Sequence, residues 1–286
     1  MSATTPIPSN IDTLPEDCVS AILSFTSPAD ASRFCSVSSS LRSPALSDLL
    51  WLSFLPDDYP NILSRAVTPL LFSSKRDLFY ALSRPILIDG GSKSFQLDKS
   101  SGEKSYILSA TELSVTWGND PLLWSWTPMP ESRFSVVAHL RTVSWLEIKC
   151  TIRTGILTPS TWYGAYLIMK VSRRAYGLDR AASEVSVEVG NVVKKGKAYL
   201  CDRDERKQKM EALFYGSRRE MLRESSETEE DEKFPSRRED GWMEIELGEF
   251  YSGEEDQDVK VSLMEVGYQL KAGLILEGVE LRPNHV

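Results

Sequence analysis

Three tryptophans lie within eleven residues of this chain, in the segment TWGNDPLLWSW at positions 116–126. An indole ring can fill a core as a large apolar side chain, or it can present its flat face to a ligand. Between the rings, Asn119, Asp120 and Pro121 predict a turn, in which the Asp120 carboxylate accepts hydrogen bonds from backbone N–H groups. Because large rings are hard to bury at a turn, two interpretations stay open. The tryptophans plug one end of a β domain, or some of them face a ligand.

Residues for catalysis or metal binding are few. The chain has four cysteines, no two of them in CxxC spacing, and two histidines far apart in sequence and near no cysteine. Zinc sites need several such ligands at close spacing, so we expect no metal site and no cofactor. The chain also has no Gly-rich phosphate loop and no recognisable nucleophile–base set. We therefore expect a non-catalytic protein whose four cysteines are free thiols, mostly buried: Cys18, Cys35, Cys150 and Cys201.

The composition is that of a soluble globular protein. The chain has 286 residues, 41% of them hydrophobic, with a net charge of −8 and a pI near 5.1. Nucleic-acid and anionic-membrane binding need clustered Lys and Arg, so this acidic balance argues against both partners. No apolar run approaches the roughly 20 residues that span a bilayer. The N-terminal segment has acids and prolines where a signal peptide would have bases and an apolar run, so we expect a cytoplasmic or nuclear protein.

Residues 11–84 have the pattern of short helices. Pro15 stands at a helix start, followed by two acids, where proline loses no hydrogen bond and acids favour the helix dipole. The same kind of start recurs at Ser27–Pro28 and at Ser43–Pro44. Three short helices are therefore predicted. A unit this small cannot bury all of its apolar side chains, so leucines and Trp51 would be left needing a partner.

From about residue 94 the hydrophobic pattern has a period of two. Apolar and polar residues alternate in GWMEIELGEF, DVKVSLMEV, SWLEIKCTI and EVSVEVG, which is typical of strands with one wet face. The segment YGAYLIMKV is apolar on both faces and predicts a central strand. Short strands with many turns predict an antiparallel β-sandwich, jelly-roll-like, so the fold class of the chain is α+β with more than one domain.

One highly charged stretch interrupts the β pattern. Residues 202–240 contain 13 acidic and 10 basic residues in 39 positions. This composition predicts a mobile, partly disordered insertion between two strands.

The N-terminal segment resembles an F-box. The resemblance is carried by the Leu-Pro start at Leu14 and Pro15, the helix after it, and the stretch ASRFCSVSSSLRSPALSDLLW that ends at Trp51. It implies docking on a Skp-type adaptor of a cullin–RING (SCF) ubiquitin ligase. The alternative is a generic three-helix bundle that caps the second domain. The residues that the resemblance implies for adaptor contact are Leu14, Pro15, Ile22, Leu23, Leu41, Leu50 and Trp51.

Residues 94–284 resemble the phloem protein 2 family, which includes the lectin Nictaba. Five blocks match in the family's order, among them YILSATELSVTWGNDPLLWSW and VSLMEVGYQLKAGLILEGVELRP. Together the two halves resemble the plant F-box proteins of the phloem protein 2 B group. The family's glycan site maps onto Trp117, Trp124, Asp258 and Glu265. The family's first acid is typically Glu, and Asp258 is one methylene shorter. We assign Trp126 to the face opposite Trp124 and expect it in the core.

These resemblances imply a chain of four parts: a flexible N-terminus at 1–10, an F-box at 11–57, a helical linker at 58–93 and a β domain at 94–286. The expected function is substrate recognition for an SCF ubiquitin ligase. The β domain would bind an unknown protein or glycoprotein. If the target is a glycoprotein, the domain would bind its GlcNAc oligomers or high-mannose N-glycans. The alternative is a carbohydrate- or protein-binding module with no ligase role. A glycosidase would need two facing carboxylates, which Asp258 and Glu265 could supply only across a cleft.

Overall fold

The computed structural model describes residues 14–37, 39–201 and 232–284. They belong to two compact units, the first comprising Met1–Ile88 and Phe95–Lys104, the second Asp89–Ser94 and Ser105–Val286. We call them the helical unit and the β unit. The predicted flexible segment 1–10, and residues 202–231 of the predicted insertion, lie outside the described residues. None of the described helices is both long enough and apolar enough to cross a bilayer.

The described residues of the helical unit form six short helices. Four of them, rather than the predicted three, lie between residues 16 and 53. The helices are α1 (Glu16–Leu23), α2 (Pro28–Val37), α3 (Ser39–Leu46), α4 (Asp48–Ser53), α5 (Tyr59–Arg65) and α6 (Lys75–Leu82). The second predicted start is confirmed, because the Ser27 hydroxyl accepts the N–H of Asp30 at 3.1 Å.

The third predicted start is wrong. Pro44 lies inside α3 instead of opening a helix, and α4 begins after Ser47, whose hydroxyl accepts the N–H of Leu49 at 3.3 Å. A proline inside a helix removes one backbone hydrogen bond. Here the surroundings offset that loss, because Pro44 is buried and its carbonyl accepts the hydroxyl of Ser20 at 3.2 Å. The helix ends two residues later, so little of it depends on the missing bond.

The β unit is built from antiparallel strands, as predicted. The strands that the structure describes are β1 (Ile86–Ile88), β2 (Lys93–Leu97), β3 (Lys104–Ser109), β4 (Ser114–Val115), β5 (Trp124–Thr127), β6 (Val137–Leu140), β7 (Val143–Arg153), β8 (Trp162–Tyr176), β9 (Ser183–Val189), β10 (Val192–Ala198), β11 (Glu232–Lys233), β12 (Ser236–Arg237), β13 (Met243–Tyr251) and β14 (Asp258–Pro283). Only the short β10–β11 pair is parallel among the described ladders.

One strand pairs in both sheets of the β unit and joins them. The first half of β14 pairs with β7 and β9, and its second half pairs with β3, β6 and β8. Between the halves the ladder with β7 shifts register, from Val266 opposite Trp145 to Lys271 opposite Val143. The jelly-roll assignment stays a prediction.

Alternation places the core where the sequence predicts it. Leu146, Ile148, Cys150 and Ile152 of β7 are buried. Most of the alternating apolar residues of β9, β13 and the first half of β14 are buried too, whereas Val189 and Met243 at strand ends are half-buried. Strand β8 lies between β13 and β14, which confirms the central position predicted from its two apolar faces.

The predicted insertion is too long at its C-terminal end. Residues 232–240 contribute β11 and β12, and Arg238 forms ion pairs with Glu244 and Glu280 at 2.5 Å each. Charge density alone could not distinguish these residues from a solvated linker, because their partners lie on strands and loops distant in the chain, some before and some after them.

Candidate functional sites on the two units

Four of the seven predicted adaptor-binding residues form the core of the helical unit. Leu23, Leu41 and Leu50 are buried with Val19, Ala31 and Ala45. Trp51 is also buried, and its indole N–H donates to the carbonyl of Ala45 at 2.8 Å. These four residues hold the helices together, so they support a docking face without forming it.

The other three predicted residues, Leu14, Pro15 and Ile22, are exposed. Four further apolar side chains are exposed on α3, on α4 and just after α1, and these three helices pack against one another. We call the exposed set the helical face; its members are Leu14, Pro15, Ile22, Phe25, Leu46, Leu49 and Leu52. Phe25 is 91% exposed and Leu49 is 69% exposed. Leu46 also lines a shallow cleft of about 560 Å³ with Arg42, Ser43 and Ser47.

The sequence contained a signal for the missed members of this face. Positions 49–52 of α4 are all apolar, and a single helix cannot turn four consecutive side chains toward one core. Leu50 and Trp51 are buried, so Leu49 and Leu52 face outward.

In the β unit, the tryptophan segment forms the predicted turn. The Asp120 carboxylate accepts the N–H of Leu122 at 2.8 Å, as expected for a turn-shaping aspartate. The N–H of Thr116 donates to the carbonyl of Glu147 at 3.0 Å and ties the start of the turn to β7. Trp117 follows with a φ of +54°, and its side chain is 49% exposed.

The other two tryptophans exchange their expected positions. Trp124 is buried, and its indole N–H donates to the carbonyl of Thr116 at 2.9 Å, so it closes the turn from inside. Trp126 was expected in the core but is 37% exposed, and its N–H donates to the carbonyl of Gly118 at 2.9 Å. Residues two apart on a strand share a face, so placing Trp126 opposite Trp124 was wrong.

The two predicted acids do not meet. Asp258 and Glu265 lie on the single strand β14, seven residues apart, which is about 23 Å along an extended strand. An odd separation also turns their side chains to opposite faces. Asp258 is exposed, with Arg153 at 3.7 Å. The two carboxylates therefore cannot flank one glycosidic bond.

Glu265 is buried and already has a partner. Its Oε1 lies 3.3 Å from Nζ of Lys271, which is fully buried, while its Oε2 has no hydrogen-bond partner among the described residues. Burial raises the pKa of Glu265, and the ammonium of Lys271 partly offsets that rise. Of the four residues implied for a glycan site, Trp117 and Asp258 reach the surface, and Trp124 and Glu265 do not.

No metal centre or disulfide is formed within the described ranges. They contain no group of three or more His, Cys, Asp or Glu placed to hold a metal ion. No disulfide joins the four cysteines; Cys150 and Cys201 are buried, Cys35 is half-buried and Cys18 is exposed.

Comparison with known proteins identifies relatives that match both the helical unit and the β unit. The family model described as phloem protein 2 matches residues 103–283. F-box protein PP2-B15 of Arabidopsis thaliana is 49% identical over 277 residues, which cover 94% of this chain and 96% of that protein. F-box protein PP2-B13 and F-box protein VBF of the same plant are 47% and 44% identical, each over 94% of this chain and 98% of theirs. The chain therefore belongs to the phloem protein 2 family and, within it, to the plant F-box proteins of the PP2-B group.

Proposed function

We propose that this chain is the substrate-recognition subunit of an SCF-type ubiquitin ligase, acting as a non-catalytic adaptor in the cytoplasm or nucleus. The helical face would dock on a Skp-type adaptor and the β unit would bind the target. The observation that carries the proposal is the helical face itself. Seven exposed apolar residues on or next to short helices, over a core that is already complete, are typical of a surface that a partner covers.

The test is capture of a Skp-type adaptor by the full chain. Substituting aspartate for Phe25 and Leu49 places charges on the two most exposed side chains of the helical face. Burying one such side chain stabilises a contact by about 1.5–3 kcal/mol, so the double variant should bind at least about 100-fold more weakly. The matched control is Leu71→Asp, because Leu71 is 96% exposed in the same unit but lies outside the helical face. Equal capture of all three proteins would contradict the proposal.

Target recognition by the β unit is the second part of the proposal, and we propose that the target is read as protein. Glycan recognition through Trp117, Trp124, Asp258 and Glu265 has weaker support, because two of the four side chains are buried and the two acids lie on opposite faces of β14. Binding of the full chain to a glycan array distinguishes protein recognition from glycan recognition. Binding of GlcNAc oligomers or N-glycans that Trp117→Ala abolishes would restore the glycan interpretation. It would also support the lectin-like alternative if adaptor capture fails.

A further inference from the structure

A second exposed apolar surface lies on the β unit, outside the tryptophan turn. Five large side chains on β7, β8 and β14 are exposed, and Tyr268 among them is fully exposed. We call this set the tip patch; its members are Trp145, Tyr176, Val266, Tyr268 and Leu270. None of them belongs to the residues that the family resemblance implies for glycan binding.

Backbone pairing and hydrogen bonds bring these side chains together. Trp145 and Val266 are directly opposite in the β7–β14 ladder, and both are exposed. Directly opposite residues of an antiparallel pair have their Cβ atoms about 5 Å apart. Tyr176 lies opposite Ala272, and its hydroxyl donates to the hydroxyl of Thr142 at 3.3 Å. The three segments that carry the patch are therefore neighbours.

The bulged part of β14 that carries Tyr268 is held in place by a buried side chain. Lys271 is fully buried, and its Nζ donates to the carbonyls of Ser144 at 2.7 Å and Gln269 at 3.2 Å. Beyond it, Gly273 has a φ of +86°, and a Cβ there would lie 2.6 Å from the Cα of Ala175. Both features fix the bulged part of β14 against β7 and β8. A patch that is already ordered loses little conformational entropy when it binds.

Three exposed arginines lie close to the patch along the chain. Arg141 lies in the turn before β7, and Arg173 and Arg174 lie on β8; none of the three forms an ion pair within the described ranges. The nearest acid along β7, Glu147, already pairs with Nζ of Lys149 at 2.6 Å. The three arginines stand out in a chain whose net charge is −8. Guanidinium groups bind carboxylates in a bidentate manner, and Trp, Tyr and Arg are the residues most enriched where binding energy concentrates at interfaces.

We infer that the tip patch binds a short acidic segment of the target protein, with aliphatic or aromatic residues seated on Trp145, Val266 and Tyr268 and carboxylates paired with the arginines. This inference deepens the proposed function and depends on it only for calling the ligand a ubiquitination target. An aromatic and basic surface could also attach to an anionic membrane, but the acidic chain as a whole opposes that.

The test is selection of peptides from a random display library of about 12 residues on the immobilised full chain. We expect enrichment of peptides that combine three or more acids with large apolar residues. Tyr268→Ala should weaken their binding about tenfold, and Arg173→Glu with Arg174→Glu should weaken it more and remove its salt dependence. The matched controls are Tyr251→Ala and the pair Lys195→Glu with Lys197→Glu, exposed positions of the same unit outside the patch. Circular dichroism checks that every variant is folded.

Three results would overturn the inference: no enrichment, enrichment of neutral or basic peptides, or selected peptides that bind the Tyr268 and arginine variants as well as the parent. Sedimentation with vesicles of three parts phosphatidylcholine and one part phosphatidylserine tests membrane binding. Binding there that needs Tyr268, without peptide selection, would replace the inference with a lipid surface. Adaptor capture by the same variants should be unchanged. Loss of adaptor capture by the parent chain, with peptide selection intact, would remove the ligase role and leave the tip patch standing.

Discussion

The helical unit and the β unit each bury one tryptophan in the same manner and expose different apolar chemistry. Trp51 donates its indole N–H to a carbonyl six residues earlier, and Trp124 donates to one eight residues earlier. At the surface, the two units differ. The helical face is mainly aliphatic, with one phenylalanine, whereas the tip patch is mostly aromatic and has three arginines close to it in the chain. Buried tryptophans close local turns in both units, while the exposed side chains differ in the way expected of two different partners.

The largest test of this comparison is removal of the Trp51 and Trp124 rings, which are two of the three buried tryptophans among the described residues. Trp51→Ala and Trp124→Ala should each lower the free energy of unfolding by about 3–5 kcal/mol, because each leaves a cavity and an unpaired carbonyl. Trp117→Ala should lower it by less than about 1 kcal/mol, because the ring is half in solvent. Urea unfolding followed by circular dichroism measures all three. A Trp124 variant as stable as the Trp117 variant would break the parallel between the units.

The second test compares the buried residues beneath the two exposed surfaces. The helical face covers an apolar core, whereas the tip patch lies above the buried pair of Lys271 and Glu265. Lys271→Met should lower the free energy of unfolding of the β unit by about 3 kcal/mol at pH 8, because it leaves Glu265 buried without its cation.

The loss should be smaller at pH 5. A carboxyl whose pKa is raised in the folded state binds its proton more tightly there, so stability falls as pH rises from the ordinary glutamate pKa through the raised one. Urea unfolding at the two pH values measures the difference. The double variant Lys271→Met with Glu265→Gln is the control and should lose this pH dependence. A Lys271 variant with equal losses at both pH values would contradict the role given to Glu265.

The smallest test concerns how the helices begin. Ser47→Ala should lower the free energy of unfolding by about 1 kcal/mol, because the hydroxyl caps α4. Ser43→Ala is the matched control at the position that the sequence favours as a cap, and it should cost less than about 0.5 kcal/mol, since its hydroxyl only donates to Glu16 on the surface. Thermal unfolding of both variants measures the difference, and the reverse order would restore the helix start predicted at Pro44.

Local pattern predicted much of the fold and little of the site. The period-two segments contain the observed strands because alternation depends only on which face is wet. Ser27–Pro28 and Ser43–Pro44 look alike in sequence, but only the first starts a helix, since the buried contact of Pro44 with Ser20 is made across the core. Glu265 looked available for a sugar because its partner Lys271 becomes a neighbour only through the register shift in β14. Contacts of that kind depend on the assembled sheets, so no local pattern reveals them.

The position of β14 has a consequence for biosynthesis. Its partners β3, β6, β7, β8 and β9 all precede it in the chain, so each leaves the ribosome before residues 258–283 are available to pair. Until then, both sheets lack the strand that joins them, and the strands that will pair with β14 have unpaired apolar edges. Folding of the β unit must therefore be completed after translation of its last strand. A premature stop before residue 258 would leave a nascent polypeptide that chaperones and proteases recognise rather than a smaller working receptor.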